Sequence, residues 1–271
     1  MKPYQTLHIR ECGEPLEPIP QGSFALVEPH YYESLGAPYG DKSPYYLRRG
    51  VLAALHQVHD RLAAERPGWR IQVFDAYRPV AVQQFMVDFT FQELCQLQGL
   101  ENMQLTEEQR QTLLEQVYQF WAAPSLDPTT PPPHSTGAAI DVTLVDEQGN
   151  EIDMGSPIDE ISSRSFPEHF ADSQDPLEQQ WHHNRSLLNT VMRSAGFRRH
   201  PNEWWHFSLG DQLWAWLMRQ ETGDDQVIAH YGRAADSSLE TSTEPATPGV
   251  SSPKPGSFAP HSPAPGTALY P

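Results

Sequence analysis

The chain has 271 residues, with 35 acidic against 18 basic side chains and a formal charge of −17 at pH 7. That balance excludes nucleic acid and an anionic membrane surface as partners, because both demand a basic patch. No apolar run is long enough to span a membrane. Met1 to Leu7 has no apolar signal region, so a cytoplasmic protein is expected. Cys12 and Cys95 form no CxxC pair and no secreted-type framework, which suits a reducing compartment.

In chain order, residues 1 to about 30 are rich in Pro and Glu and predict edge structure wrapped over one medium domain;. His30-Tyr31-Tyr32 and Tyr45-Tyr46 bracket a loop punctuated by Gly36, Pro38, Gly40 and Pro44, able to cover a site or simply to pack its aromatic rings;. From Tyr46 to Arg66, Val51, Leu52, Leu55, Val58 and Leu62 recur at helical spacing;. His56 and His59 on that helix lack a third ligand nearby and read as packed or solvated. Ile71 to Phe74 alternates as a strand. Asp75-Ala76-Tyr77-Arg78-Pro79 then turns into a helix from Val80 to Gln98, with Pro79 at its first position. Arg78 thus stands on a fixed corner, where it either points into a cleft or pairs with Asp75. Thr106 to Gln109 is a capping box for a further helix.

Pro124 to Pro133 holds five prolines and forces an extended approach to His134;. Behind it, His134-Ser-Thr-Gly137-Ala-Ala-Ile-Asp141-Val-Thr-Leu144 reads as a loop feeding a buried strand. Glu151 to Gly155 is expected to return as its hairpin partner. Leu177 to Ala195 predicts a helix ended by Gly196, and Trp204 to Leu209 a second central strand, reached through an irregular His200-Pro201-Asn202 approach. Beyond about Ala234 the composition changes, and residues 245–271 hold eight of the 26 prolines. We therefore expect a catalytic domain over 1–233 and a disordered tail over 234–271.

A carboxylate inside an apolar strand is costly unless it is paired or bound to a metal. Asp141 has natural partners in His134 and in His206 of Glu203-Trp-Trp-His206. Two imidazoles and one carboxylate would bind one zinc ion per chain and leave the fourth tetrahedral position for water. Glu203 then remains as general base and acid. Arg78, always charged, is the candidate stabiliser of an oxyanion. A buried structural network of the same residues is the bland alternative.

The motif His134-x-x-Gly137-x-Ala139-x-Asp141 resembles that of the zinc peptidases that include D-alanyl-D-alanine dipeptidases. Phe74-Asp-Ala-Tyr-Arg78-Pro79, Glu203-Trp-Trp-His206, Asp141-Val-Thr-Leu144 and Met154-Gly-Ser156 are similar to the vancomycin-resistance dipeptidase branch over roughly residues 25–210. The resemblance implies an α+β fold with a small antiparallel sheet and helices packed around it, like the carboxypeptidase relatives and the hedgehog domain. It implies His134, Asp141 and His206 as zinc ligands, Glu203 as base and acid, and Arg78 as transition-state stabiliser. Asp159 would receive the substrate's ammonium, assisted by Tyr31 or its neighbour Tyr32, with Tyr31 taken as the candidate. The implied reaction is hydrolysis of a small D,D-dipeptide, D-Ala-D-Ala, to two D-alanines. A D,D-carboxypeptidase acting on peptidoglycan peptides and a non-catalytic zinc-stabilised binding domain are the alternatives, and the oligomeric state stays open. In one respect the chain departs from the branch. Pro132 and Pro133 replace two serines that help hold the substrate carboxylate, so another group must hold that end or it is loosely held.

Overall fold

The computed structural model describes residues 2–100, 105–120, 122–160 and 162–234. A 3-10 turn over Pro3–Thr6 precedes β1 (Leu16–Pro18), β2 (Ala25–Leu26) and the single turn α1 (Tyr31–Ser34). The expected edge structure is therefore present. Tyr46, however, does not open the first long helix: Tyr46–Arg48 is β3, paired antiparallel with β1, and α2 runs Arg49–Glu65. Next come β4 (Arg70–Asp75), α3 (Val80–Leu97) and α4 (Glu107–Phe120). Pro79 is the N-cap of α3 rather than its first residue. The capping box before α4 is closed, with Gln109 N–H donating to Thr106 Oγ1 at 3.2 Å and Thr106 N–H to Gln109 Oε1 at 2.9 Å;.

The long central strand is β5 (Ala139–Val145), followed by α5 (Pro176–Ser194), β6 (Arg198–Arg199), β7 (His206–Ser208) and α6 (Gln212–Thr222). Glu151 makes only an isolated bridge to Val145, so the expected hairpin strand reduces to one pair. β7 is shorter than Trp204 to Leu209 because Trp204 and Trp205 lie in the bend before it. Except for Ala234, the tail expected over 234–271 lies outside the described residues.

Five strands form one sheet in the order β2–β4–β5–β7–β6. It is antiparallel throughout except for β2, which runs parallel to β4. One face is apolar. Ile71, Val73, Ile140, Val142, Leu144 and Phe207 are fully buried there, clustered with Val51, Leu55, Val58 and Leu62 of α2 and Leu188, Val191 and Met192 of α5. Burying each such side chain stabilises the fold by about 1.5–3 kcal/mol. The α+β class expected from the sequence is thus the observed one.

Alternation along β5 turns Asp141 to the opposite face from Ile140 and Val142. Cross-strand partners share a face, and Asp141 stands opposite His206. On the other side the β4–β5 register slips between Val73 and Asp75, so that Asp75 rather than Phe74 stands opposite Asp141. This irregularity re-aims the end of β4, a common use of a bulge beside a site. Gly137 caps the 3-10 turn over Pro133–Thr136 just before β5, at φ +69°, where a Cβ would come 2.3 Å from Leu16 Cδ2. The glycine of the motif is therefore required both by backbone conformation and by close packing.

Candidate metal centre and active site

Three short pieces of chain converge on one point. His134 comes from a 3-10 turn over Pro133–Thr136, Asp141 from the middle of β5 and His206 from the start of β7. All three are at most 5 % exposed. His134 Nε2 lies 3.2 Å from His206 Nδ1 and 3.3 Å from Asp141 Oδ2, and His206 Nδ1 lies 3.0 Å from Asp141 Oδ1. Ligands about 2.0–2.1 Å from a tetrahedral zinc stand roughly 3.3 Å apart. The three donors therefore already describe the edges of a zinc shell, and their chemistry, two imidazoles and a carboxylate, fits that ion.

The second ring nitrogens explain how the histidines are aimed. His134 Nδ1 is 2.7 Å from the carbonyl of Ala76, which fixes the proton there and leaves Nε2 free;. His206 is reversed. Its Nε2 is 3.5 Å from Ser208 Oγ, which donates at 2.9 Å to Asp211 Oδ2, so Nδ1 faces the centre. Burial alone would raise the Asp141 carboxyl, but His134 and His206 outweigh it and hold the group well below the usual carboxylate range.

Arg78 stands at the β4–α3 corner, its N–H bonded to His134 O at 3.2 Å, while Ser135 Oγ donates to Arg78 O at 2.8 Å. The guanidinium does both things expected of it. Nε and a terminal nitrogen donate to Asp75 Oδ2 at 2.9 and 2.6 Å, the other terminal nitrogen to Gln83 Oε1 at 3.1 Å, and the group lies 3.8 Å from Asp141 Oδ2 along the cavity wall. Asp75, fully buried, is kept ionised: desolvation raises it, yet Arg78 and His30 lower it further. Such a carboxylate fixes the arginine without competing for the cavity.

Glu203 lies in the bend before β7, as the irregular His200-Pro201-Asn202 approach suggests. One carboxylate oxygen is 3.8 Å from His206 Nδ1 and the other 3.8 Å from His200 Nδ1. It remains partly open to the cavity, beside the ligands but not among them. His200, which the sequence reading treats only as part of a turn, lines the same cavity. Burial lowers its pKa to about 4, so it is a neutral neighbour of Glu203.

Asp159 lines the same cavity as Glu203, at φ +63°, a left-handed conformation that aspartate adopts more readily than most residues;. Tyr32, not Tyr31, donates its hydroxyl to Asp159 Oδ2. Tyr31 is 51 % exposed and Tyr32 only 3 %. Successive residues on a helical turn point about 100° apart, so only one of the pair can face inward, and α1 selects the second. The Arg78 guanidinium also lies over the Tyr32 ring, 5.4 Å from its centroid. Of the two tyrosines the sequence leaves open, Tyr32 is therefore the one in contact with Asp159 and Tyr31 is the exposed one, a difference that no periodicity in so short a turn signals.

A buried three-donor centre lining a cavity, with a flanking carboxylate and a clamped arginine, is the arrangement of a metallohydrolase. The sequence model of the family described as "D-ala-D-ala dipeptidase" matches residues 26–228, and the chain belongs to that peptidase family, Peptidase_M15. A D-alanyl-D-alanine dipeptidase of Synechocystis is 53 % identical over 239 residues, covering 86 % of this chain and 97 % of the relative. The Escherichia coli protein of the same name is 46 % identical over 84 residues, 31 % of this chain and 41 % of its own length. Among solved structures, a vancomycin-resistance D,D-pentapeptidase in complex with Zn(II) aligns at a TM-score of 0.39 and 16 % identity, covering 76 % of this chain and 90 % of that one. The chain is accordingly an enzyme, a metallopeptidase of the dipeptidase family. No helix among the described residues is long and apolar enough to cross a membrane.

Proposed function

We propose that the protein hydrolyses free D-alanyl-D-alanine to two D-alanines with one zinc ion per chain, held by His134, Asp141 and His206. The observation that carries this reading is the set of donor separations, 3.0–3.3 Å, in a buried centre bordered by Glu203 and Arg78. A zinc ion held by these three residues would supply Lewis acidity, lowering the pKa of a water to about 7 and polarising the scissile carbonyl. Glu203 takes the proton of the attacking water and delivers it to the departing amine. Arg78, fixed by Asp75 and Gln83, faces the oxygen on which charge develops, a role worth roughly 2.7–4 kcal/mol for a preorganised donor.

Asp159 and Tyr32 are the proposed receptor for the ammonium end. A buried carboxylate facing the cavity favours a free amino terminus, because a neutral acylated substrate would leave its charge uncompensated. This also favours the dipeptide over longer peptidoglycan peptides. The free thiols of Cys12, exposed, and Cys95, buried, suit the cytoplasm;. Recovery of the protein outside the cytoplasmic fraction would count against that location. The reaction itself is tested with a panel of D-Ala-D-Ala, its L-isomers and its N-acetyl form, with and without a chelator. We expect chelator-sensitive cleavage of the free D,D-dipeptide above the others. Equal cleavage of the N-acetyl form would put the carboxypeptidase reading first.

A further inference from the structure

The dipeptide reading leaves one end of the substrate without a partner, its C-terminal carboxylate. Two basic side chains of the lysine and arginine type, Lys2 and Arg78, are among the residues that line the cavity. Arg78 is already engaged by Asp75 and Gln83. Pro132 and Pro133, which also line the cavity, carry no N–H to offer;. Lys2 forms no ion pair among the described residues, and its charge reaches His200, the neighbour of Glu203. Lys2 shares the cavity lining with His200 and Glu203, while at the ammonium end Tyr32 donates to Asp159 and lies under the Arg78 guanidinium.

Two residues on, Tyr4 lines the cavity as well and is 7 % exposed. Its hydroxyl has no hydrogen bond among the described residues. Burial, then Asp211 and Glu203, push it far above the ordinary tyrosine range, so it stays a neutral O–H donor. The segment bearing both residues is anchored. Buried Gln212 of α6 donates to Leu7 O at 2.7 Å and Gln5 O at 3.3 Å, Arg10 N–H bonds Ala229 O at 2.9 Å, and Ala229 N–H bonds His8 O at 3.1 Å. Lys2 and Tyr4 thus belong to an anchored part of the cavity lining, ahead of residue 26 where the family match begins.

We infer that Lys2, seconded by the Tyr4 hydroxyl, receives the substrate's C-terminal carboxylate, so that the N-terminal segment sets specificity at that end. The inference rests on the dipeptidase reading above. Its test is steady-state kinetics of the zinc-loaded full chain on D-Ala-D-Ala and on its C-terminal amide, for wild type, Lys2→Met, Lys2→Arg and Tyr4→Phe. Wild type should favour the acid. Lys2→Met should lower the acid-to-amide ratio of kcat/KM about tenfold through KM for the acid, the scale of one charge-assisted hydrogen bond that binds ground and transition states alike. Lys2→Arg should restore most of the ratio, and Tyr4→Phe should lower it less than Lys2→Met. Because Lys2 is exposed and Tyr4→Phe keeps the ring, none of these variants threatens the fold. An unchanged ratio in Lys2→Met and Tyr4→Phe overturns the inference and leaves the dipeptidase reading standing. If wild type cleaves neither substrate, that reading fails and the carboxylate role falls with it.

Discussion

His134 and His206 offer opposite ring nitrogens to one point, Nε2 of the first lying 3.2 Å from Nδ1 of the second. The opposition is set by what each ring meets behind it, a backbone carbonyl for His134 and the Ser208–Asp211 pair for His206. Purified protein should carry about one zinc per chain, and His134→Ala, Asp141→Ala and His206→Ala should each lose it. Ser208→Ala should keep the ligand set but weaken zinc about tenfold or more, the usual effect of removing an outer partner. Competition with a chromogenic chelator measures both. A Ser208→Ala protein with wild-type affinity would show that Ser208 does not orient the ring.

Glu203 is outside the ligand set yet 3.8 Å from His206 Nδ1. Glu203→Ala should therefore retain stoichiometric zinc while kcat falls by roughly 10²–10⁴. Metal analysis and single-turnover rates on the same preparation separate the two effects. Turnover at the wild-type rate would remove Glu203 from the mechanism.

Burial, then the nearby charge of Asp141, raise Asp159 to about 7, with Tyr32 and Arg78 opposing. Only the ionised form attracts an ammonium, so KM for the free dipeptide should climb as pH falls through the Asp159 pKa, about tenfold per unit once below it. A cation beside Asp141 cancels part of the repulsion, so in the zinc enzyme this rise lies below pH 7. Asp159→Asn should flatten the profile. Tyr32→Phe should raise KM and Tyr31→Phe should not, and the reverse result would restore Tyr31 to the site.

Truncation after Ala234 should leave activity and melting temperature nearly unchanged. Truncation after residue 228 should not. It deletes Ala229 and His230, which bond the backbone of residues 8–12, Gly232 O, which accepts from Arg48 at 3.1 Å, and Ala234 N–H, which donates to Ser135 O at 2.9 Å beside His134. Thermal denaturation of the two truncated proteins reads the difference. A fall of several degrees in the longer one would mean that residues beyond 234 dock on the domain.

Much of the centre was legible because its chemistry is expensive anywhere else. A carboxylate flanked by Ile140 and Val142 demands a partner, and few residues other than His134 and His206 offer one. The Asp75–Arg78 pairing and the cleft-facing role, two readings of a single corner, turned out to be compatible, because one carboxylate oxygen holds two guanidinium nitrogens and leaves the group on the cavity wall. Other features escaped for physical reasons. β3 looked like the start of α2 because Tyr46 and Leu47 suit a strand as well as a helix, and only pairing with β1, thirty residues away, decides. The β4 register slip carries no local signal. Lys2 and Tyr4 were indistinguishable from an ordinary terminus, since what brings them to the cavity is Gln212, more than two hundred residues downstream.

That last dependence has a consequence for synthesis. The ladder between residues 8–12 and 229–230 joins the two ends of the catalytic unit. A nascent chain emerges N-terminus first, and contacts of such long sequence separation form late. The wall made by Lys2 and Tyr4 therefore cannot close until nearly the whole unit has left the ribosome. The metal centre waits on the same stretch of chain, since His206 precedes Gln212 by only six residues, so its third ligand and the anchor of the N-terminal segment emerge almost together.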